Sequence, residues 1–100
     1  MTQQLDEIHH IAIQVKNIQH AVDWYTTRFK CEVTYQDETW AFLQFENTSL
    51  ALVIPSQHPY HVAITQHHLE EFGEVNLHRD GTQSVYIKDP DGNTLEMLKP

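Results

Sequence analysis

From residue 8 to residue 15 the chain alternates. Ile11, Ile13 and Val15 interleave with His10, Ala12 and Gln14. A period of two predicts a strand with one apolar and one mixed face. Asn17 then offers a good helix N-cap. Beyond it the period lengthens: Ile18, Ala21, Val22, Tyr25 and Phe29 recur at helical spacing, giving one apolar stripe that should lie on the apolar face of the first strand. Three further strands are predicted over residues 31–36, 39–45 and 49–54, separated by polar turns. Residues 55–60 hold two prolines and read as a linker.

The pattern then restarts. Residues 60–65 read YHVAIT, another strand. Thr65 is placed to cap a short helix running to Phe72, closed by Gly73 in a left-handed conformation. A strand over 74–78, a tight Asp80-Gly81 hairpin, and strands over 82–88 and 94–98 complete the order. Asp89 to Asn93 is a turn in which Gly92 supplies positive φ. His10-Ile11-Ala12-Ile13 reappears as His61-Val62-Ala63-Ile64, and Leu50-Ala51-Leu52 as Leu95-Glu96-Met97, in the same order within matching strings of elements. The expected architecture is therefore one α+β domain spanning 1–100. It contains two tandem βαβββ modules, 8–54 and 60–98, the second with a shortened helix.

The strand HHIAIQV, the helix containing AVDWYTTRF, the restart at HVAI and the closing run SVYIKDPDGNTLEML together resemble the vicinal oxygen chelate superfamily, the glyoxalase, bleomycin resistance protein and extradiol dioxygenase group. The resemblance runs from about Ile8 to Leu98, and the DPDGN turn followed by LE is its most specific part. It implies that each module curls into half of an open barrel, forming a curved mixed sheet around a cleft. It also implies that the first strand of each module and the last strand supply ligands to one divalent metal ion, here His10, His61 and Glu96. Ala51 stands where glyoxalase I carries a further glutamate, so that fourth protein ligand is missing.

Alternation supports the same three residues without the resemblance. If Ile11, Ile13 and Val15 face the helix, His10 faces away. The same parity sends His61 away from Val62 and Ile64, and Glu96 away from Leu95 and Met97. Two imidazoles and one carboxylate suit Fe, Mn, Ni, Co or Zn, and three protein ligands leave positions open for substrate. On the same face, Tyr86 is a candidate to donate a proton to a metal-bound oxygen. Ser84 and Trp40 are candidates for the substrate wall. His9, adjacent to His10, is expected on the opposite face, His67 and His68 on the short helix, and His20, His58 and His78 on the surface.

Composition narrows the function. A formal charge of −8 with only six Lys and Arg excludes a nucleic-acid partner. No apolar run reaches the roughly 18 residues a membrane span needs. The polar, acidic start MTQQLDE and the single cysteine, Cys31, suit a cytoplasmic protein. Cys31 itself reads as a small core residue at the start of a strand. So small a chain gains from dimerisation, and a homodimer is expected, with His10 from one chain facing His61 and Glu96 of the other. The expected function is a metal-dependent enzyme acting on a small oxygen-chelating substrate, with dioxygenase-like chemistry leading. The alternatives are a drug-binding protein without chemistry and a glyoxalase-like lyase or isomerase.

Overall fold

A computed structural model describes residues 4–78 and 81–100. The predicted hairpin at Asp80-Gly81 therefore lies partly outside the described residues. Eight strands and one helix form in the expected order: β1 (Ile8–Gln14), α1 (Ile18–Arg28), β2 (Glu32–Gln36), β3 (Trp40–Gln44), β4 (Ser49–Val53), β5 (His61–Thr65), a 3-10 turn (Leu69–Glu71), β6 (Asn76–Leu77), β7 (Gln83–Lys88) and β8 (Thr94–Lys99).

All eight strands belong to one mixed sheet ordered β2-β3-β4-β1-β5-β8-β7-β6. The order is the same read outward from either side of the centre. β1 pairs in parallel with β4 and β5 in parallel with β8, while β1 and β5 meet antiparallel. The central strands of the two copies are thus neighbours, which places the repeated H-h-A-I segments (h apolar) side by side.

One face of the sheet is roofed by helix. Asn17 caps α1 as its sequence indicates, its Oδ1 accepting from the His20 N–H at 2.9 Å. Ile18 and Val22 of α1 are buried against Ala41, Leu43 and Leu52, with Ile13, Val15 and Tyr25 packed around them. The helix ends without a left-handed residue. Phe29 turns straight into extended backbone (φ −129, ψ 152) while its N–H still reaches the Tyr25 carbonyl, so Lys30 carries no strained conformation.

The second copy builds much less. Thr65 does not cap a helix; it remains in β5, and only the 3-10 turn follows, with Leu69 buried against Val85 and Met97. Gly73 does adopt positive φ (+148) after it. With so short a second helix, the roof has a gap. Ile11, expected under the helix, sits in that gap at 38 % exposure, although its neighbours Ile13 and Val15 are covered by α1. The opposite, concave face is free of helix and holds the cleft.

Candidate metal centre

His10, His61 and Glu96 converge within a single chain, so a partner is not needed to bring the donor set together. The register explains how. His10 lies opposite Ala63 across β1 and β5, and Ala63 lies beside Glu96 across β5 and β8. A fully buried alanine therefore separates the histidine from the glutamate, leaving room for their side chains to meet above it. His61 joins from two positions along β5, where its own cross-strand partner is another buried alanine, Ala12. All three residues are buried, with exposures of 8 %, 7 % and 5 %.

Both imidazole Nε2 atoms point at the same carboxylate oxygen. His10 Nε2 lies 3.4 Å, and His61 Nε2 3.3 Å, from Glu96 Oε1. The candidate ligand atoms all lie within 4.8 Å of one another. Two donors each about 2.1 Å from an ion, at a near-tetrahedral angle, are separated by about 3.4 Å, so the spacing fits a shared cation. The tautomer fits too. His61 Nδ1–H donates to the Pro59 carbonyl at 3.0 Å, which leaves Nε2 as the free lone pair. A lone pair facing a carboxylate oxygen requires either a proton or a cation between them. The donor set, by its chemistry and spacing, accommodates a divalent ion.

The remaining expected residues fall in different places. Trp40 lines the cleft together with Phe42, because Ala41 and Leu43 between and after them point to the helix side. Tyr86 lies opposite Glu96 in the β7–β8 register and stands edge-on to the His61 ring at 5.7 Å. Ser84 is fully buried and sits behind the wall, paired with His78 Nε2 at 2.6 Å. His78 is the group that reaches the cleft from this side, its Nε2 3.7 Å from Glu96 Oε2.

Strict alternation misplaces several histidines. His9 also lines the cleft, because the β1–β5 register slips between Ile8 and His10: Ile8 pairs with Ile64, yet His10 pairs with Ala63. The extra residue is His9, and a bulge of this kind turns two successive side chains to one face. His9 Nδ1 then lies 2.8 Å from His10 Nδ1. A second slip, between Val33 and Tyr35 in β2, has the same effect on Tyr35, which stacks on Trp40 at 4.2 Å. His58, in the proline-containing linker, and His78 are likewise cleft residues, not surface ones. Among the described residues five histidines thus line one cavity of about 870 Å³.

Their electrostatics are set by this crowding. Burial raises the Glu96 carboxyl, but His10 and His61, when their Nε2 atoms carry protons to donate to it, outweigh that and hold the group well below the usual carboxylate range. Burial pushes the Tyr86 hydroxyl up, and the adjacent Glu96 adds to it, so Tyr86 stays protonated at any physiological pH. Burial lowers His58, and His61 lowers it further; burial and then His10 do the same to His9. Outside the cleft, Asp89 accepts from the Asp91 and Asn93 N–H groups at the closing turn, where Gly92 takes φ +86.

A family model described as the glyoxalase/bleomycin resistance protein/dioxygenase superfamily matches residues 7–75. No curated protein matches the chain. Among solved structures, a hypothetical protein of Bacillus halodurans C-125 superposes with a TM-score of 0.75 at 17% identity, covering 97% of this chain and 96% of its own. A glyoxalase/bleomycin resistance protein/dioxygenase superfamily member of Vibrio splendidus 12B01 gives a TM-score of 0.72 at 12% identity, covering 96% and 100%. A variant of Streptomyces coelicolor methylmalonyl-CoA epimerase bound to 2-nitronate-propionyl-CoA gives 0.75 at 15% identity, covering 96% and 95%. At these identities the likeness is one of fold. The fold, the repeated half-sheets and the family match agree: the chain belongs to the glyoxalase/bleomycin resistance protein/dioxygenase superfamily.

Proposed function

We propose that this protein is a metal-dependent enzyme. Its ion (Fe, Mn, Ni, Co or Zn) is held by His10, His61 and Glu96, and its substrate is a small molecule presenting two adjacent oxygens. The observation that carries this reading is the pair of Nε2 atoms at 3.4 and 3.3 Å from one Glu96 oxygen, with the His61 tautomer fixed from behind. A divalent ion bound there supplies Lewis-acid charge stabilisation to the oxygens of the substrate. The chain's own residues supply the rest. Tyr86, kept protonated, offers an O–H beside the centre. His58, held neutral by burial and by His61, can accept a proton from a substrate bound in the cavity. Trp40, Tyr35 and Phe42 form a wall against which a planar substrate body can pack.

Two imidazoles, one carboxylate and neighbouring proton-transfer groups are also what ring-cleaving dioxygenase chemistry uses, and we place that reaction class first. Ala51 on the cleft wall leaves no fourth acidic ligand at its position, which sets a glyoxalase-like lyase or isomerase second. The aromatic wall favours one further reading, a binding protein without chemistry. The working form we infer is a cytoplasmic homodimer, since Leu5, Ile8 and Ile11 stay exposed on so small a chain. No described helix is long and apolar enough to cross a membrane.

The test is oxygen uptake by untagged, Fe(II)-loaded protein given catechol as the probe. The reading expects oxygen consumption and a ring-opened product, both lost in His61→Ala. Catechol binding that quenches tryptophan fluorescence without any turnover, under every metal tried, would support the binding protein instead.

A further inference from the structure

Every ligand histidine in a metal site has a second nitrogen, and what that nitrogen touches fixes the ring. For His61 the partner is the Pro59 carbonyl, an ordinary backbone acceptor. For His10 it is another imidazole. His10 Nδ1 and His9 Nδ1 lie 2.8 Å apart, with the two rings at 77° and their centroids 5.1 Å apart. Adjacent residues of a regular strand point to opposite faces, so this contact exists only because β1 bulges between Ile8 and His10. The His9 ring is held from its other side as well, stacked on Phe42 at 6.2 Å. Phe42 in turn meets His10 edge-on at 5.1 Å. Three rings thus lock one another.

Resting on the metal reading above, we propose that His9 is a positioning residue for the metal centre: it accepts the Nδ1–H of His10 and so fixes the tautomer and ring angle that present His10 Nε2 to the ion. The direction of that bond follows from chemistry. A His10 ring that ligates through Nε2 carries its proton on Nδ1 and must donate. His9 must then accept on Nδ1 and carry its own proton on Nε2. The bulge converts an otherwise outward-facing residue into the support of its neighbour. In a short chain this replaces the carboxylate or carbonyl acceptor that would otherwise come from another element. His9 contributes no ligand atom: among the described residues the group that can share an ion is His10, His61 and Glu96.

The experiment uses Co(II) as the probe and reads its affinity by visible absorption in competition with a chelator, for wild type, His9→Ala and His9→Asn. Loss of an outer partner of a ligand histidine typically weakens metal binding about 10- to 100-fold, and His9→Ala should fall in that range. His9→Asn, whose Oδ1 can accept the same proton, should recover most of the loss. If His9→Ala does not fold, long-range 1H–15N spectra of the Zn(II)-loaded wild type decide the matter, because the proposal requires the His9 proton on Nε2, leaving its Nδ1 to accept from His10. Co(II) affinity in His9→Ala within twofold of wild type, or a His9 proton on Nδ1, overturns the role of His9 while leaving the metal centre intact. Wild-type protein that takes up no Co(II) overturns the metal reading, and this role with it. A purely structural His9 would lower thermal stability equally in both variants with affinity unmoved, which also overturns the proposal.

Discussion

An ion held at the proposed centre should supply a large part of this fold's stability. His10, His61 and Glu96 are buried together, with both Nε2 atoms within 3.4 Å of one carboxylate oxygen. Without an ion, protons must fill that space or like-natured lone pairs face each other. The unfolded chain, with the three donors far apart in sequence, binds a cation weakly. A ligand that binds only the native state stabilises it by RT ln(1 + [L]/Kd), about 2.7 kcal/mol when the free ion is at 100 Kd. In a domain of this size each kcal/mol moves Tm by about 4–8 °C, so the shift should be about 11–22 °C. Differential scanning calorimetry of chelator-treated protein, with and without Co(II) at 100 Kd, measures it directly. His61→Ala removes one of three donors and should reduce the shift to a few degrees, whatever the variant's own Tm. A wild-type Tm indifferent to Co(II), Zn(II) and Fe(II), or an equal shift in the variant, would refute the reasoning.

Three other outcomes follow from particular residues. Ala63→Leu fills the space between His10 and Glu96 while sparing all three donors. It should cost about 1–3 kcal/mol by overpacking and abolish Co(II) binding, and wild-type affinity in this variant would contradict the geometry. Leu43→Ala, beneath α1 on the opposite face of the sheet from the three donors, should lose about 3–5 kcal/mol in urea melts with Co(II) affinity unchanged in the folded fraction. Glu96 has a folded pKa below its unfolded value of 4.5, so its contribution to stability is complete above that pH and is lost as pH falls through the folded value. Urea melts from pH 6 to pH 3 should show a steeper loss for wild type than for Glu96→Gln; parallel curves would count against the pairing.

Much of the fold and the convergence of His10, His61 and Glu96 could be read from the chain because both rest on alternation. The repeat of His10-Ile11-Ala12-Ile13 at His61-Val62-Ala63-Ile64 signals two matching half-sheets, and parity sends His10, His61 and Glu96 to the face without helix. The same rule fails for His9, since a bulge is defined by one strand's register against its neighbour and leaves no mark in either strand alone. His58 and His78 were not legible because no period governs the linker or the two-residue strand β6. Ile11 was expected under a helix. The second helix proved too short to reach it, and a capping residue such as Thr65 signals where a helix could start without ensuring that one forms. Ser84 followed parity but was buried by His78, an effect of packing between elements distant in sequence.

The proposed centre is one cation shared by three side chains, and metal content per chain measures that most directly. Untagged protein, loaded in turn with Fe(II), Co(II) and Zn(II) and then desalted, should carry close to one ion per chain by elemental analysis. His61→Ala prepared alongside should carry almost none. A wild type that leaves the column empty under all three metals, or a variant that retains as much as wild type, would contradict it.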